Sequence, residues 1–201
     1  MAKPLPRSVV LASRSPQRQA LLEALGLKFT VVVSEVEEST EGEPREIVVE
    51  NALEKARSVA ARRKTGTLVI AGDTEVVIDG SALGQPADER EARWCLEALS
   101  GRDHEVIGGL ALLGPERGDD GFLERTGAEV TRVRFAELSS GLVDAYLKSG
   151  EWRGRAGGYA VQGLGAAFVQ EIEGDLSNVI GLPVGLLASL APELLRSAGH
   201  N

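Results

Sequence analysis

The feature that most constrains this chain is its start, Val9-Val10-Leu11-Ala12-Ser13-Arg14-Ser15-Pro16-Gln17-Arg18. A short apolar run reads as a buried strand and stops at two serines. Pro16 then opens a helix that carries Leu21, Leu22 and Leu25 on one face. Ser15 is a favoured N-cap, and proline suits the first helical position because its missing N–H has no partner there anyway. Such a strand-to-helix turn commits the chain to a βα unit. It also places backbone amides and the positive end of a helix dipole at one spot, beside the forked donors of Arg14 and Arg18. Two readings of Ser13 and Arg18 follow: a site for a phosphorylated ligand, or a plain capped helix with a solvated arginine.

The rest of the pattern extends the same theme. Apolar runs predict strands over Ser8–Leu11, Phe29–Val33, Leu68–Ala71, Glu75–Ile78, Glu105–Leu113, Ala128–Phe135 and Ala166–Ile172. Helical spacing predicts helices over Pro16–Leu25, Pro44–Arg63, Asp88–Leu99, Ser139–Lys148 and Val184–Leu194. Strands interleaved with helices give an α/β fold, a mixed elongated β-sheet flanked by helices, rather than a sandwich or a bundle. Asp79-Gly80 between short apolar runs is a hairpin signal, and Asp119-Asp120-Gly121 marks a second turn. At 201 residues the chain is expected to form a single domain, 1–201, or two lobes sharing a sheet.

Composition removes some function classes. The net charge of −8 argues against binding long nucleic acid, whose affinity depends on Lys and Arg neutralising phosphates. One nucleotide remains possible, since it needs only a local basic pocket. Aromatic residues are 4% of the chain, so base-stacking platforms are scarce. The single cysteine, Cys95, cannot form an internal disulfide, which fits a reduced cytoplasmic location. No apolar run is long enough for a membrane span, and no signal peptide is read at the start. His104 and His200 are the two histidines, and no His/Cys spacing suggests structural zinc.

Several residues carry candidate chemistry. Asp73 follows Leu68-Val-Ile-Ala-Gly72 and precedes Thr74, which places a carboxylate at a strand end, where α/β sheets bind ligands. There it can ligate a divalent cation or take a proton from water; a turn-capping role is the alternative. Glu38 is one of six acids between Glu35 and Glu46, a stretch that otherwise reads as a solvated loop. Lys55 lies on a helix whose apolar face is Ile47, Val48, Ala52, Leu53, Ala56 and Val59, and the pattern by itself favours a solvated lysine. Gly84-Gln85-Pro86 and Gly101-Arg102-Asp103-His104 read as turns. In Arg155-Ala-Gly-Gly-Tyr159-Ala-Val-Gln162-Gly-Leu-Gly165, small residues allow close approach of a ligand, and the Gln162 amide could read a base edge. A glycine-rich hairpin is the competing reading.

Taken together and in order, LASRSPQRQALLEALG, ALEKA, VIAGDTEVVIDG, GQP, LSGRDHEV, RAGGYAVQGLGAAFV and GLPVGLL resemble the Maf family of nucleoside triphosphate pyrophosphatases, over about Val9 to Leu194. The resemblance implies α/β proteins with a cleft between two lobes, and hydrolysis between the α- and β-phosphates with a divalent cation, Mg or Mn. It also implies a homodimer. Carried over by position, it implies Asp73, Lys55 and Glu38 as catalytic residues, Asp73 and Glu38 also as metal ligands. Ser13, Arg18, Gln17, Thr74, Gln85, Arg155 and Gln162 become substrate-binding residues. The IQGLG-type block and GDT resemble the branch that prefers dTTP and UTP. Four departures stand out: AGDT for AADT or GADT, Glu75 in an apolar position, Gln17 for an arginine, and Gln85 for the lysine of GKP. Arg155, in place of the lysine of KAG, keeps its charge. These departures leave a second expectation, a nucleotide-binding regulatory protein of cell division with weak or lost turnover.

Overall fold

In the computed structural model, which describes residues 8–63, 66–115 and 122–198, the chain opens with β1 (Ser8–Leu11), α1 (Pro16–Ala24) and β2 (Thr30–Val31). Then come α2 (Pro44–Ala60), β3 (Thr67–Ile78), β4 (Ser81–Ala82), α3 (Glu89–Leu99) and the long pair β5 (Asp103–Pro115) and β6 (Phe122–Phe135). After α4 (Ser140–Ser149), short 3-10 turns at Ala156–Gly158 and Gly163–Phe168 lead to β7 (Val169–Glu173). The helices α5 (Leu176–Ile180), α6 (Val184–Leu190) and α7 (Pro192–Ala198) close the described chain.

The strands form one seven-stranded mixed sheet in the order β2-β1-β3-β5-β6-β7, with β4 paired to the far end of β3. β1 pairs parallel with both β2 and β3, and the remaining pairs are antiparallel. The mixed α/β expectation therefore holds. Chain direction explains the arrangement: α1 carries β1 to β2 on one side, and α2 carries β2 back across to β3 on the other. β1 is thus a topological switch point, the place where α/β sheets open a crevice.

Alternation along β3 sorts the core. Val69 and Ala71 face α2 and pack on Ala52, Ala56 and Val59. Leu68 and Ile70 face the other way, onto Leu22 of α1 and Leu187 of α6. Farther along that second face, Val76 and Ile78 pack on Ala92 and Leu96 of α3 and on Tyr146 of α4. The two apolar clusters on this face are the two lobes, and Thr74 lies on β3 between them. Fully burying one large aliphatic side chain stabilises by about 1.5–3 kcal/mol, so each cluster contributes substantially to holding its helices on the sheet.

Four expectations on secondary structure are corrected. The runs Leu68–Ala71 and Glu75–Ile78 are one strand, because Asp73 and Thr74 keep extended pairing with Gly109 and Gly108. Asp103 and His104 begin β5 rather than forming a turn. Val184–Leu194 is two helices, split at Ala191 before Pro192, which cannot donate to a continuing helix. The Ala166–Ile172 strand starts only at Val169, after a 3-10 turn, and α5 lies in a stretch without a strong apolar period. Asp79-Gly80 does form the β3–β4 hairpin, with Asp79 at φ 51° and Gly80 at φ 76°. The turn at Asp119-Asp120-Gly121 and His200 lie outside the described residues.

Candidate active site

β1 ends at Leu11, paired with Ile70, whereas β3 runs on to Ile78. The stretch of β3 that holds Asp73, Thr74 and Glu75 therefore has no strand on its β1 side. Asp73 is not at a strand end, as its flanking residues suggested. It is mid-strand but just past the carboxyl end of the neighbouring strand, which places it at the wall of the crevice equally well.

Helix α2 reaches Asp73 because of its cross-strand partner. Gly109 sits opposite Asp73, and a Cβ there would overlap the Val48 carbonyl oxygen of α2. Without a side chain, the helix backbone lies directly on the sheet. Lys55 and Asn51, one turn apart on α2, then meet the carboxylate. Lys55 Nζ lies 2.7 Å from Asp73 Oδ1 and 2.7 Å from Glu38 Oε1. Asn51 Nδ2 donates to Asp73 Oδ2 at 2.9 Å. Lys55 and Asp73 are each only 6% exposed, while the Glu38 side chain is half exposed. The solvated lysine suggested by the helix pattern is thus buried and shared between two carboxylates, since an ammonium this desolvated requires paired charge.

The β1–α1 turn is organised as expected at its cap and differs in its donors. Ser15 Oγ accepts from the Arg18 amide at 3.4 Å, and Ser13 Oγ accepts from the Ser15 amide at 3.1 Å. These bonds use the Arg18 amide of the first turn and the amide of the N-cap residue, which an anion would otherwise take. The Arg18 guanidinium donates from Nε to the Gly181 carbonyl (2.8 Å), from Nη1 to Ser13 Oγ (3.1 Å) and from Nη2 to Thr74 Oγ1 (3.0 Å). A guanidinium has five N–H donors, so two remain for a ligand. Burial lowers the Arg18 pKa, opposed by the charges of Asp73 and Glu38. Gln17 is held locally, its Oε1 accepting from Ser15 Oγ at 3.0 Å.

These groups line a cleft of about 720 Å³, within the range of small-molecule sites. It is lined by five cations, Arg14, Arg18, Lys55, Arg153 and Arg155, against three acids, Glu38, Asp73 and Glu75. A chain of net charge −8 therefore concentrates positive charge where a phosphorylated ligand would lie. An adjoining recess of about 110 Å³ is bordered by Gln162, Tyr159, Val106 and Val179. The Gln85 and Arg155 loops meet there: Gly157 N–H donates to the Gly84 carbonyl at 2.7 Å. Gly157, at φ 64°, has no room for a Cβ against Val76. Among the described residues Arg155 has no carboxylate partner, and burial lowers its pKa.

All ten sequence-derived site residues line the cleft, the recess or both. The structure adds Glu75, whose Oε2 is buried without a partner. Burial first, then the charges of Asp73 and Glu38, push its carboxyl up to about 7, against the Gly84 amide and Lys55. It also adds Asn51, a polar residue on an otherwise apolar helix face four positions before Lys55. That misfit was the available signal. His104 is buried, bonded through Nε2 to Tyr159 OH at 2.9 Å, and burial lowers it to about 4. It stays neutral behind the recess wall. Cys95 is buried on α3, its thiol pushed up by that burial.

The Maf-like protein model matches residues 8–194. The chain belongs to the Maf family. It is 46% identical over 180 residues to the dTTP/UTP pyrophosphatase of Symbiobacterium thermophilum, covering 89% of each chain. It is 45% identical to that of Anaeromyxobacter sp., covering 96% of this chain and 90% of the relative. It is 41% identical to that of Pyrococcus furiosus, covering 92% and 94%. Among solved structures, the Staphylococcus aureus Ham1 protein superposes on 65% of this chain and 73% of its own, with a TM-score of 0.46 and 13% identity. This Maf chain thus carries a basic cleft around a lysine-bridged carboxylate pair.

Proposed function

We propose that this chain is a nucleoside triphosphate pyrophosphatase that hydrolyses dTTP and UTP to the nucleoside monophosphate and pyrophosphate. The observation that carries the reading is the Lys55-bridged pair, Asp73 and Glu38, set in a cleft with Arg18 and Arg155. The dTTP/UTP pyrophosphatases at 41–46% identity support the substrate class.

A divalent cation fits this site with substrate phosphate and water completing its shell. Among the described residues no three His, Cys, Asp or Glu side chains form a cage. Magnesium needs none, since it commonly takes one or two carboxylates and completes its shell with phosphate oxygens and water. Asp73 and Glu38 are hard oxygen donors, and Glu75 Oε2, buried without a hydrogen-bond partner, is a further carboxyl oxygen on the same cleft. Asp73 and Glu38 would hold the ion, which when bound supplies neutralisation of the triphosphate charge.

The chain's own residues do the rest. Arg18 directs its two remaining N–H donors, and Arg155 its guanidinium, at phosphate oxygens, where charge-assisted bonds are strong. Thr74 and Ser13 fix the Arg18 fork from either side. Water attacks the α-phosphorus, its proton passes to Asp73, and the bond to the α–β bridging oxygen breaks to release pyrophosphate. Lys55 offsets the charge developing on the phosphoryl oxygens. Gln17 and Gln85 offer neutral hydrogen bonds at the cleft rim. Gln162, exposed at the recess, pairs its amide donor and acceptor with the carbonyl and N–H edge of uracil or thymine.

The regulatory alternative rests on the loss of cations at Gln17 and Gln85. Arg155 on the same cleft, joined to the Gln85 loop through Gly157 and Gly84, favours the enzyme. The proposal includes a cytoplasmic homodimer; no helix among the described residues is long and apolar enough to cross a membrane. Light scattering on the purified protein checks the dimer. The activity is tested with a panel of triphosphates, with and without chelator, following nucleotide products and pyrophosphate. Monophosphate and pyrophosphate from dTTP and UTP are expected, and only with a divalent cation. Orthophosphate with a diphosphate product would refute the cleavage site, and a purine preference would refute the base assignment.

A further inference from the structure

We propose that Asn51 is a positioning residue that ties the loop carrying Glu38 to the Asp73 carboxylate. Residues 32–43, between β2 and α2, have no regular secondary structure. At Ser39, next to Glu38, this loop is clamped by one side chain. Asn51 Oδ1 accepts from the Ser39 amide at 2.8 Å, and Asn51 Nδ2 donates to the Ser39 carbonyl at 3.0 Å. The second Nδ2 proton goes to Asp73 Oδ2 at 2.9 Å. Lys55 completes the circuit, 2.7 Å from both Asp73 Oδ1 and Glu38 Oε1. Asn51, Ser39, Glu38, Lys55 and Asp73 thus form a closed ring.

Only a carboxamide suits this place. The ring requires one acceptor and two donors at the end of a short side chain, and asparagine supplies them. Aspartate keeps the acceptor for the Ser39 amide but loses both donors and sets a second charge beside Asp73. Leucine fills a similar volume and leaves the Ser39 N–H and carbonyl without partners. Asn51 is 5% exposed and does not line the cleft, so it acts through Glu38 and Asp73 rather than on substrate. Its effect belongs in kcat, because Arg18, Arg155 and Gln162 bind the nucleotide independently of it. This inference rests on the catalytic reading of Asp73 and Glu38.

The experiment compares the full-length chain with Asn51→Asp and Asn51→Leu, using steady-state kinetics on dTTP and hydrogen exchange at the Ser39 amide. Losing hydrogen bonds to a charged group is expected to lower kcat about tenfold or more in both variants, with KM within about threefold of wild type. Ser39 exchange is expected to be slow in the wild type and in Asn51→Asp, and about tenfold or more faster in Asn51→Leu. Unchanged kcat in Asn51→Asp overturns the proposal, as does a KM rise that accounts for the whole loss. Fast Ser39 exchange in the wild type overturns it independently of any activity. A wild type that releases no pyrophosphate defeats the pyrophosphatase reading instead, and slow Ser39 exchange in that protein still supports the clamp. Should Asn51→Leu fail to fold, the Asn51→Asp kinetics decide alone.

Discussion

The buried carboxyl of Glu75 makes stability depend on pH in a direction opposite to that of an ordinary surface acid. In the folded chain it titrates at about 7, against 4.5 for an unperturbed glutamate, chiefly because burial penalises its charge. Between those values the folded state holds a proton that the unfolded state has released. Stability therefore falls as pH rises through this window, and the full penalty stands above pH 7. The difference corresponds to roughly 3 kcal/mol, reduced to about 1–2 kcal/mol because the cleft admits water to one side of the group. Glu75→Gln removes the charge and keeps an oxygen to accept from the Gly84 amide. In a chain of this size it should raise Tm by about 2–8 °C at pH 8, and by about a quarter of that at pH 5. His104 supplies an internal check of opposite sign. Its pKa is lowered to about 4 by burial, from 6.5, so its contribution is lost as pH falls below the unfolded value. The two groups offset each other between pH 5 and 6.5 in the wild type, and Glu75→Gln should expose the rising His104 slope. Thermal unfolding followed by circular dichroism in chelated buffers measures both. An equal Tm change at pH 5 and pH 8, or a fall at pH 8, would refute the argument.

Three further outcomes follow from the site. Asp73→Asn should lower kcat by about 10²–10⁴ while the chain stays folded, and retention of more than half the wild-type rate would move the proton acceptor elsewhere, with Glu38 next. Gly109→Ala should cost roughly 1–3 kcal/mol of stability, because the added Cβ drives Val48 and α2 off the sheet. It should also cut kcat by carrying Lys55 away from Asp73, so a variant with unchanged melting and turnover would disprove the close approach. Gln85→Lys places a cation at the exposed rim near Arg155 and should lower the KM for dTTP a few-fold, since attraction at about 4 Å is worth roughly 1 kcal/mol even in water. An unchanged KM would mean that Arg155 already supplies that charge.

Much of this was legible in the sequence, and the misses have physical causes. The capped α1 start was readable because serine, proline and a three-residue spacing are local signals, and the structure keeps the Ser15 cap. Lys55 was not readable as buried, because helical periodicity ranks a lysine by its own polarity and cannot see Asp73, which is 18 positions away. Asn51 showed only as a polar misfit on an apolar helix face, because its value lies in partners at Ser39 and Asp73. Asp73 itself was placed at a strand end because a charged residue breaks an apolar run. The break proved to be lateral, since β3 continues while its neighbour β1 stops. The resemblance of motifs supplied the site list, and the fold supplied the contacts that hold it.

The position of the cleft follows from unequal strand lengths around the switch point. β1 has four residues and β3 has twelve, and their parallel pairing begins together at Ser8 and Thr67. The surplus of β3 therefore lies wholly beyond the carboxyl end of β1. That is where the chain leaves β1 toward α1 on one side and returns through the Glu38 loop and α2 on the other. Arg18 from α1 and Lys55 from α2 reach the surplus without any strand displacing them, and each is held in turn from another segment, Arg18 by the Gly181 carbonyl after α5 and Lys55 by Glu38 from its loop. A longer β1 would pair with Gly72, Asp73 and Thr74 and close the edge that opens on the cleft. The serines that stop β1 are then both a helix cap and the reason that β3 has an open edge. Ser13 joins the two roles, accepting from the Ser15 amide and from Arg18 at 3.1 Å each.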